Sequence, residues 1–155
     1  MLHDETSISS FEEFVRDAGP RLQDAFGAMF GIDPGRDATA DALAYGWEHW
    51  DRVVEMENTI GYLFVVGRDR ARKARTSRRV VLSQLDTVRA PWVEPGLPAA
   101  LAALPEQQRT VVMLLHSFDW TMSEVAEMMG LSKGTVQSYE KRAMGRLRRK
   151  LGVGS

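Results

Sequence analysis

Trp120-Thr121-Met122-Ser123-Glu124-Val125-Ala126-Glu127-Met128-Met129-Gly130-Leu131-Ser132-Lys133-Gly134-Thr135-Val136-Gln137-Ser138 is the stretch from which the fold can be read. Thr121 and Glu124 have the spacing of a capping box, in which each side chain satisfies the other residue's backbone N–H at a helix start. The helix they open carries Val125, Ala126 and Met129 and stops at Gly130, a residue suited to the left-handed backbone that ends helices. Leu131 packs the turn, and Ser132 caps a second helix expected to run to about Lys150. A short helix, a tight turn containing glycine and a longer basic helix make a helix-turn-helix.

The second helix can be projected at roughly 100° per residue. With Val136 at zero, Ala143 and Leu147 fall within about 20° of it and form the buried stripe. Thr135, Gln137, Ser138, Lys141, Arg142, Arg148 and Arg149 occupy the opposite arc, and every one of these side chains is a hydrogen-bond donor. Gln137 can pair an adenine edge, and Lys141 and Arg142 a guanine edge or a phosphate. A merely solvated helix mixes acids into such a face. The exception is Glu140, about 40° from Val136, whose carboxylate either snorkels to the edge of the stripe or pairs with a base such as Lys133.

Working upstream, Pro105 suits a helix start, and Val111 to Leu115 is apolar almost all round, as a buried helix should be. The helical pattern fails from Val80 to Ala103. Three prolines and a glycine lie within Pro91 to Pro98, which forbids a continuous helix. Residues 80–98 are therefore expected to link a domain at 8–79 to one at 99–151.

The first domain reads as helices too. Phe11, Phe14, Val15 and Ala18 are spaced i, i+3, i+4, i+7, with Ser9 and Ser10 as candidate caps. Leu22, Ala25, Phe26 and Met29 continue that spacing to a break at Gly31–Gly35. A helix from about Asp37 aligns Leu43, Trp47, Trp50 and Val54, the tryptophans reading as core. The last helix follows Asn58, with Ile60, Leu63, Phe64, Gly67, Ala71 and Ala74 on one face and Arg68, Arg72, Arg75 and Arg79 on a basic stripe. No segment alternates with period two. The expected fold is all-α: two small helical domains joined by a Pro-rich linker, the second a helix-turn-helix.

Composition excludes several classes. The 155 residues are 44% hydrophobic and 26% charged, the balance of a soluble globular protein. There is no cysteine, hence no disulfide, thiol nucleophile or Cys-ligated zinc. His3, His49 and His116 lack ligand spacing, and Gly31–Gly35 lacks the Lys-Ser/Thr of a phosphate loop. No metal, cofactor or small-molecule substrate is expected, and no enzymatic activity. The first ten residues have no basic region of a signal peptide and no run spans a membrane, so the cytoplasm is the expected compartment. The net charge of -1 conceals opposed blocks: thirteen acids against four bases in residues 1–60, and seven bases against one acid in both 68–79 and 131–151. Two basic blocks suit a polyanion touched at two places, and the acidic part suits a protein partner.

The run Leu104-Pro105, Arg109, Trp120 to Ala126, Gly130 to Ser138, Arg142-Ala143 and Arg146-Leu147-Arg148 resembles domain four of extracytoplasmic-function (ECF) RNA polymerase sigma factors, almost end to end. The resemblance implies that Ser132, Lys133, Thr135, Gln137, Ser138, Lys141 and Arg142 contact the promoter's -35 element. More weakly, Phe11 to Leu22 and Trp50 with Asn58 to Arg68 are similar to that family's domain two. This implies that Asn58, Tyr62, Arg68, Arg72 and Arg75 serve the -10 element, whose melting captures a flipped base in a loop matching Arg52 to Asn58. Asp41, Leu43, Ala44 and Trp47 would then bind core polymerase, through its beta and beta-prime subunits. The core-binding helix is atypical: Ala40-Asp41-Ala42-Leu43-Ala44-Tyr45 replaces the family's acid-leucine-x-Gln run, with Leu43 at the glutamine. Implied partners are promoter DNA, core polymerase and, for many family members, an anti-sigma factor. The residues by themselves leave open a stand-alone helix-turn-helix regulator that binds a palindrome as a dimer.

Overall fold

The structure is a computed structural model that describes residues 4–82 and 96–152, with residues 75–82 as helical backbone only. Eight helices are found among the described residues, and no strand: α1 Glu5–Phe30, α2 Ile32–Glu48, α3 Trp50–Val53, α4 Thr59–Leu82, α5 Leu97–Ala102, α6 Glu106–His116, α7 Met122–Met129 and α8 Lys133–Leu151. The expected all-α class is observed. The chain divides into two compact units, residues 1–73 with 127–130, and residues 74–126 with 131–155.

In the first unit, α1 begins earlier than its apolar spacing suggests. Asp4, rather than Ser9 or Ser10, is the cap, its Oδ1 accepting from the Ser7 N–H at 2.8 Å. The break after Phe30 is a single residue, Gly31, at φ 99°. Pro34 and Gly35, read above as part of the break, lie inside α2, where a first-turn proline costs no hydrogen bond. Gly35 is what brings the two helices together: a Cβ there would lie 2.7 Å from the Gly27 N and 2.8 Å from its Cα.

This close approach corrects the face assigned to α2. Gly35, Ala38, Thr39, Ala42 and Gly46 are its buried residues, and Leu43 and Trp47 stand half-buried at the rim. Past the turn at His49, Trp50 and Val53 are buried while Val54 is exposed, so the chain does not keep the register expected for Val54. Helix α4 buries Ile60, Leu63, Phe64 and Gly67 as expected. The face runs out beyond them, with Ala71 half-buried and Ala74 exposed. Phe64 stacks on Phe26 at 5.0 Å between centroids. Gly67 leaves room for Phe26, whose Cζ would otherwise be 2.4 Å from a side-chain carbon.

The second unit is built around α6 and α8. Val111, Val112 and Leu114 are buried on α6, and Val136, Ala143 and Leu147 on α8, the stripe expected from the projection. Helix α5 was not foreseen. Pro98 sits in its first turn, and Ala100 joins Leu104, Val112, Ala143 and Leu147 in one apolar cluster. The proline-rich stretch proper, residues 83–95, lies outside the described residues.

Candidate nucleic-acid interface

The turn that presents α8 is fixed by local hydrogen bonds. The Thr121 N–H donates to Glu124 Oε1 at 2.8 Å and the Glu124 N–H to Thr121 Oγ1 at 3.1 Å, the reciprocal box expected at the start of α7. Just before it, Asp119 takes a left-handed backbone at φ 59°, and the Trp120 N–H donates back to the Leu114 carbonyl. At the far end Gly130, at φ 66°, lets the Leu131 N–H reach the Ala126 carbonyl at 2.9 Å, closing α7 in a Schellman turn. Ser132 Oγ then accepts the Thr135 N–H at 3.0 Å and starts α8. Thr121→Ala removes one half of the box and should lower stability by about 1 kcal/mol, with Thr121→Ser close to wild type. Urea denaturation of the full chain checks this, and equal losses in both variants would contradict it.

On α8 the structure exposes Ser132, Lys133, Gln137, Lys141 and Arg142 and leaves Thr135 and Ser138 half-buried. Lys133, Gln137 and Lys141 follow one another at i, i+4, i+8 and so form one stripe, with Ser138 and Arg142 beside it. Ser132 and Thr135 hold the helix start; their hydroxyls also hydrogen-bond each other at 2.9 Å. Gln137, Ser138, Lys141 and Arg148 line an open groove on this face. The chemistry available is that of base-edge and phosphate recognition: exposed donors on a helix held from behind by an apolar stripe. Glu140 stands at the edge of the buried stripe and pairs with a basic residue, though not with Lys133. Its Oε2 lies 2.7 Å from Nε2 of His116, the last residue of α6.

In the first unit, Asn58 caps α4. Its Oδ1 accepts the Gly61 N–H at 3.0 Å, and a Cβ on Gly61 would collide with the same side chain at 2.4 Å. Thr59 Oγ1 reaches back to the carbonyls of Val53 and Met56, closing the loop between α3 and α4. Of the basic stripe, Arg72 is exposed, and Arg68 is half-buried with its guanidinium 5.9 Å from the Phe64 ring centre and Nε 3.6 Å from Asp69. The Arg75 side chain lies outside the described residues.

Sequence reasoning missed a cluster around Tyr45. Its hydroxyl accepts from Arg52 Nη2 at 2.8 Å and shares a hydrogen bond with the Tyr62 hydroxyl at 3.2 Å. Its ring stacks on His49 at 4.2 Å, with the Arg70 guanidinium 5.3 Å from the ring centre. The hydrogen bonds from Tyr62 and Arg52 hold the Tyr45 phenol below the usual tyrosine range. Three helices thus meet at one phenol beside the loop from Arg52 to Asn58. Spacing could not reveal this, because Tyr45 and Tyr62 are 17 residues apart on different helices.

The four residues assigned to polymerase binding divide in two. Asp41 and Ala44 are exposed on α2. Leu43 lines a shallow cleft with Val15, Pro20 and Gln23 of α1, and the Trp47 ring packs on Phe11 at 5.1 Å. Among the described residues no group of three or more His, Cys, Asp or Glu could hold a metal, and no helix is long and apolar enough to cross a membrane.

Residues 100–149 match the family model for sigma-70, region 4. Over nearly its whole length the chain is similar to proteins named RNA polymerase sigma-E factor. It is 30% identical to that of Streptomyces avermitilis, covering 97% of this chain and 89% of the relative. Against that of Streptomyces coelicolor the identity is 29%, covering 93% and 87%. A similar solved structure is the sigma factor RpoE of Bartonella quintana, crystallised with the anti-sigma factor NepR. Its TM-score is 0.62 at 22% identity, covering 94% of this chain and 99% of that one, a likeness of fold.

Proposed function

The chain belongs to the ECF RNA polymerase sigma factors, and from that premise we propose how its parts divide the work of directing core polymerase to promoters. It is a specificity subunit rather than an enzyme, and it acts in the cytoplasm, where promoters are. Residues 99–151 read the -35 element through Lys133, Gln137, Ser138, Lys141 and Arg142, with Ser132 and Thr135 holding the helix start and touching the same backbone. Residues 8–79 bind core polymerase through Asp41, Leu43, Ala44 and Trp47. They serve the -10 element through Asn58, Tyr62, Arg68, Arg72 and Arg75. Residues 80–98 tether the two.

The observation that carries this reading is the exposed donor face of α8, standing on a buried Val136–Ala143–Leu147 stripe at the end of a fully capped helix-turn-helix. One such helix reads a few base pairs, too few for a unique site, so a second contact or a second copy is required. A family likeness that runs through both units favours the second contact over the dimeric regulator. The Bartonella relative was crystallised with an anti-sigma factor, and we extend that class of partner to this chain.

Site-directed DNA cleavage tests the division. The chain has no cysteine, so a single Ser138→Cys or Val65→Cys substitution accepts a tethered cleavage reagent without background. In a holoenzyme on its promoter, the reagent on residue 138 should cut around -35 and that on residue 65 around -10. Cutting at one shared region by both would overturn the assignment.

A further inference from the structure

Glu140 is the one acid between Lys133 and Leu151. It lies on the flank between the buried stripe and the donor face, with 23% of its side chain exposed. Lys133 and Lys141 are on the same helix, yet its partner is His116 of α6, at 2.7 Å across the helix pair. An imidazole Nε2–H can donate to the carboxylate whether or not the ring is charged. His116 also ends α6, where the negative end of the helix dipole favours a donor or cation. Both residues line the open groove that holds Gln137, Ser138, Lys141 and Arg148. A carboxylate released into that groove would face the phosphates that the neighbouring bases attract, or would occupy Lys141.

We propose that His116 is a positioning residue for promoter recognition, holding the carboxylate of Glu140 against α6 and away from DNA. It rests on the reading of α8 as the -35 contact. His116 itself touches no base or phosphate; it acts through Glu140. Removing the imidazole leaves a half-buried carboxylate without its donor, and the carboxylate regains hydration by turning outward. Removing the charge of Glu140 as well takes the penalty away. The relation between the two residues is therefore asymmetric: losing His116 alone is harmful to DNA binding, and losing both is not.

The test uses holoenzyme assembled from the full chain and core polymerase, on a promoter selected by the wild type from a randomised duplex library. His116→Ala should weaken binding by about fivefold, the effect of one unit charge at contact distance in water. His116→Ala combined with Glu140→Gln should return to within about twofold of wild type. His116→Gln, which keeps a donor, should bind nearly as the wild type does. Thermal melting of each variant accompanies the binding curves and separates unfolding from a charge effect. Undiminished binding by His116→Ala would overturn the proposal, as would failure of Glu140→Gln to restore it. Arg142→Ala serves as the control: if it too leaves binding unchanged, the reading of α8 fails and takes the proposal with it. If Arg142→Ala weakens binding and His116→Ala does not, the proposal alone fails.

Discussion

Phe26→Ala should destabilise the first unit by about 3–5 kcal/mol, the largest single effect expected in the molecule. Phe26 is fully buried, stacks on Phe64 at 5.0 Å and fills the space left by the missing side chain of Gly67. Truncation removes a stacked contact between α1 and α4. The backbones cannot easily close the gap, since Gly35 of α2 already meets Gly27 of α1 and a Cβ on Gly67 of α4 would lie 3.0 Å from the Ala38 carbonyl of α2. A domain of this size has only about 5–15 kcal/mol of stability in total. Phe30, half-buried one turn on with its ring centre 6.5 Å from Phe26, provides the comparison. Phe30→Ala should cost about half as much or less. Denaturant unfolding of the full chain checks both, and a loss below about 1 kcal/mol for Phe26→Ala would contradict the packing described.

Arg142→Ala should lower promoter affinity by about 1–3 kcal/mol and relax base preference within the -35 element alone. Arg142 is exposed on the donor face of α8, one turn from Ser138. A guanidinium there presents a planar fork that pairs bidentately with guanine or holds one phosphate. These uses differ in their signature. Base reading changes the selected sequence, whereas phosphate binding leaves the sequence unchanged and lowers the salt slope by about one. Selection of promoters from a randomised library at two salt concentrations separates them. Unchanged affinity and unchanged selection would remove Arg142 from the reading set.

The helix-turn-helix was legible because its determinants are local. Thr121, Glu124, Gly130 and Ser132 act within a few residues of themselves, and each made the hydrogen bond or backbone turn expected of it. The stripe Val136, Ala143 and Leu147 followed from helical period alone. The first unit was legible in outline and wrong in register on α2. Apolar spacing favoured Leu43, Trp47 and Val54, while the actual contact uses Gly35, Ala38 and Gly46, small residues that carry little hydrophobic signal. Their value lies in the approach they permit between two backbones, which no single-helix pattern can express. Helix α5, six residues long, was hidden because the proline in its first turn reads as a break. Tyr45 and Glu140 mark a third kind of gap. Each is paired across helices with a residue 17 or 24 positions away, so their roles emerge only when the helices are brought together.

The register of α2 also decides which of the proposed polymerase contacts are accessible. Where a glutamine would be expected, Leu43 lies in a cleft against α1, and Asp41 and Ala44 are the exposed members of the set. Tyr45 turns toward Arg52 and Tyr62 and so belongs with the residues beside the α3–α4 loop. In this chain α2 connects the surface assigned to polymerase with the loop assigned to melting.

Run-off transcription with purified core RNA polymerase decides whether this chain directs the enzyme to promoters. With this protein added, the enzyme should start transcripts from promoters that carry spaced -35 and -10 elements, and altering either element should abolish them. No stimulation of core polymerase, together with tight binding of the free protein to a short palindrome, would contradict the account.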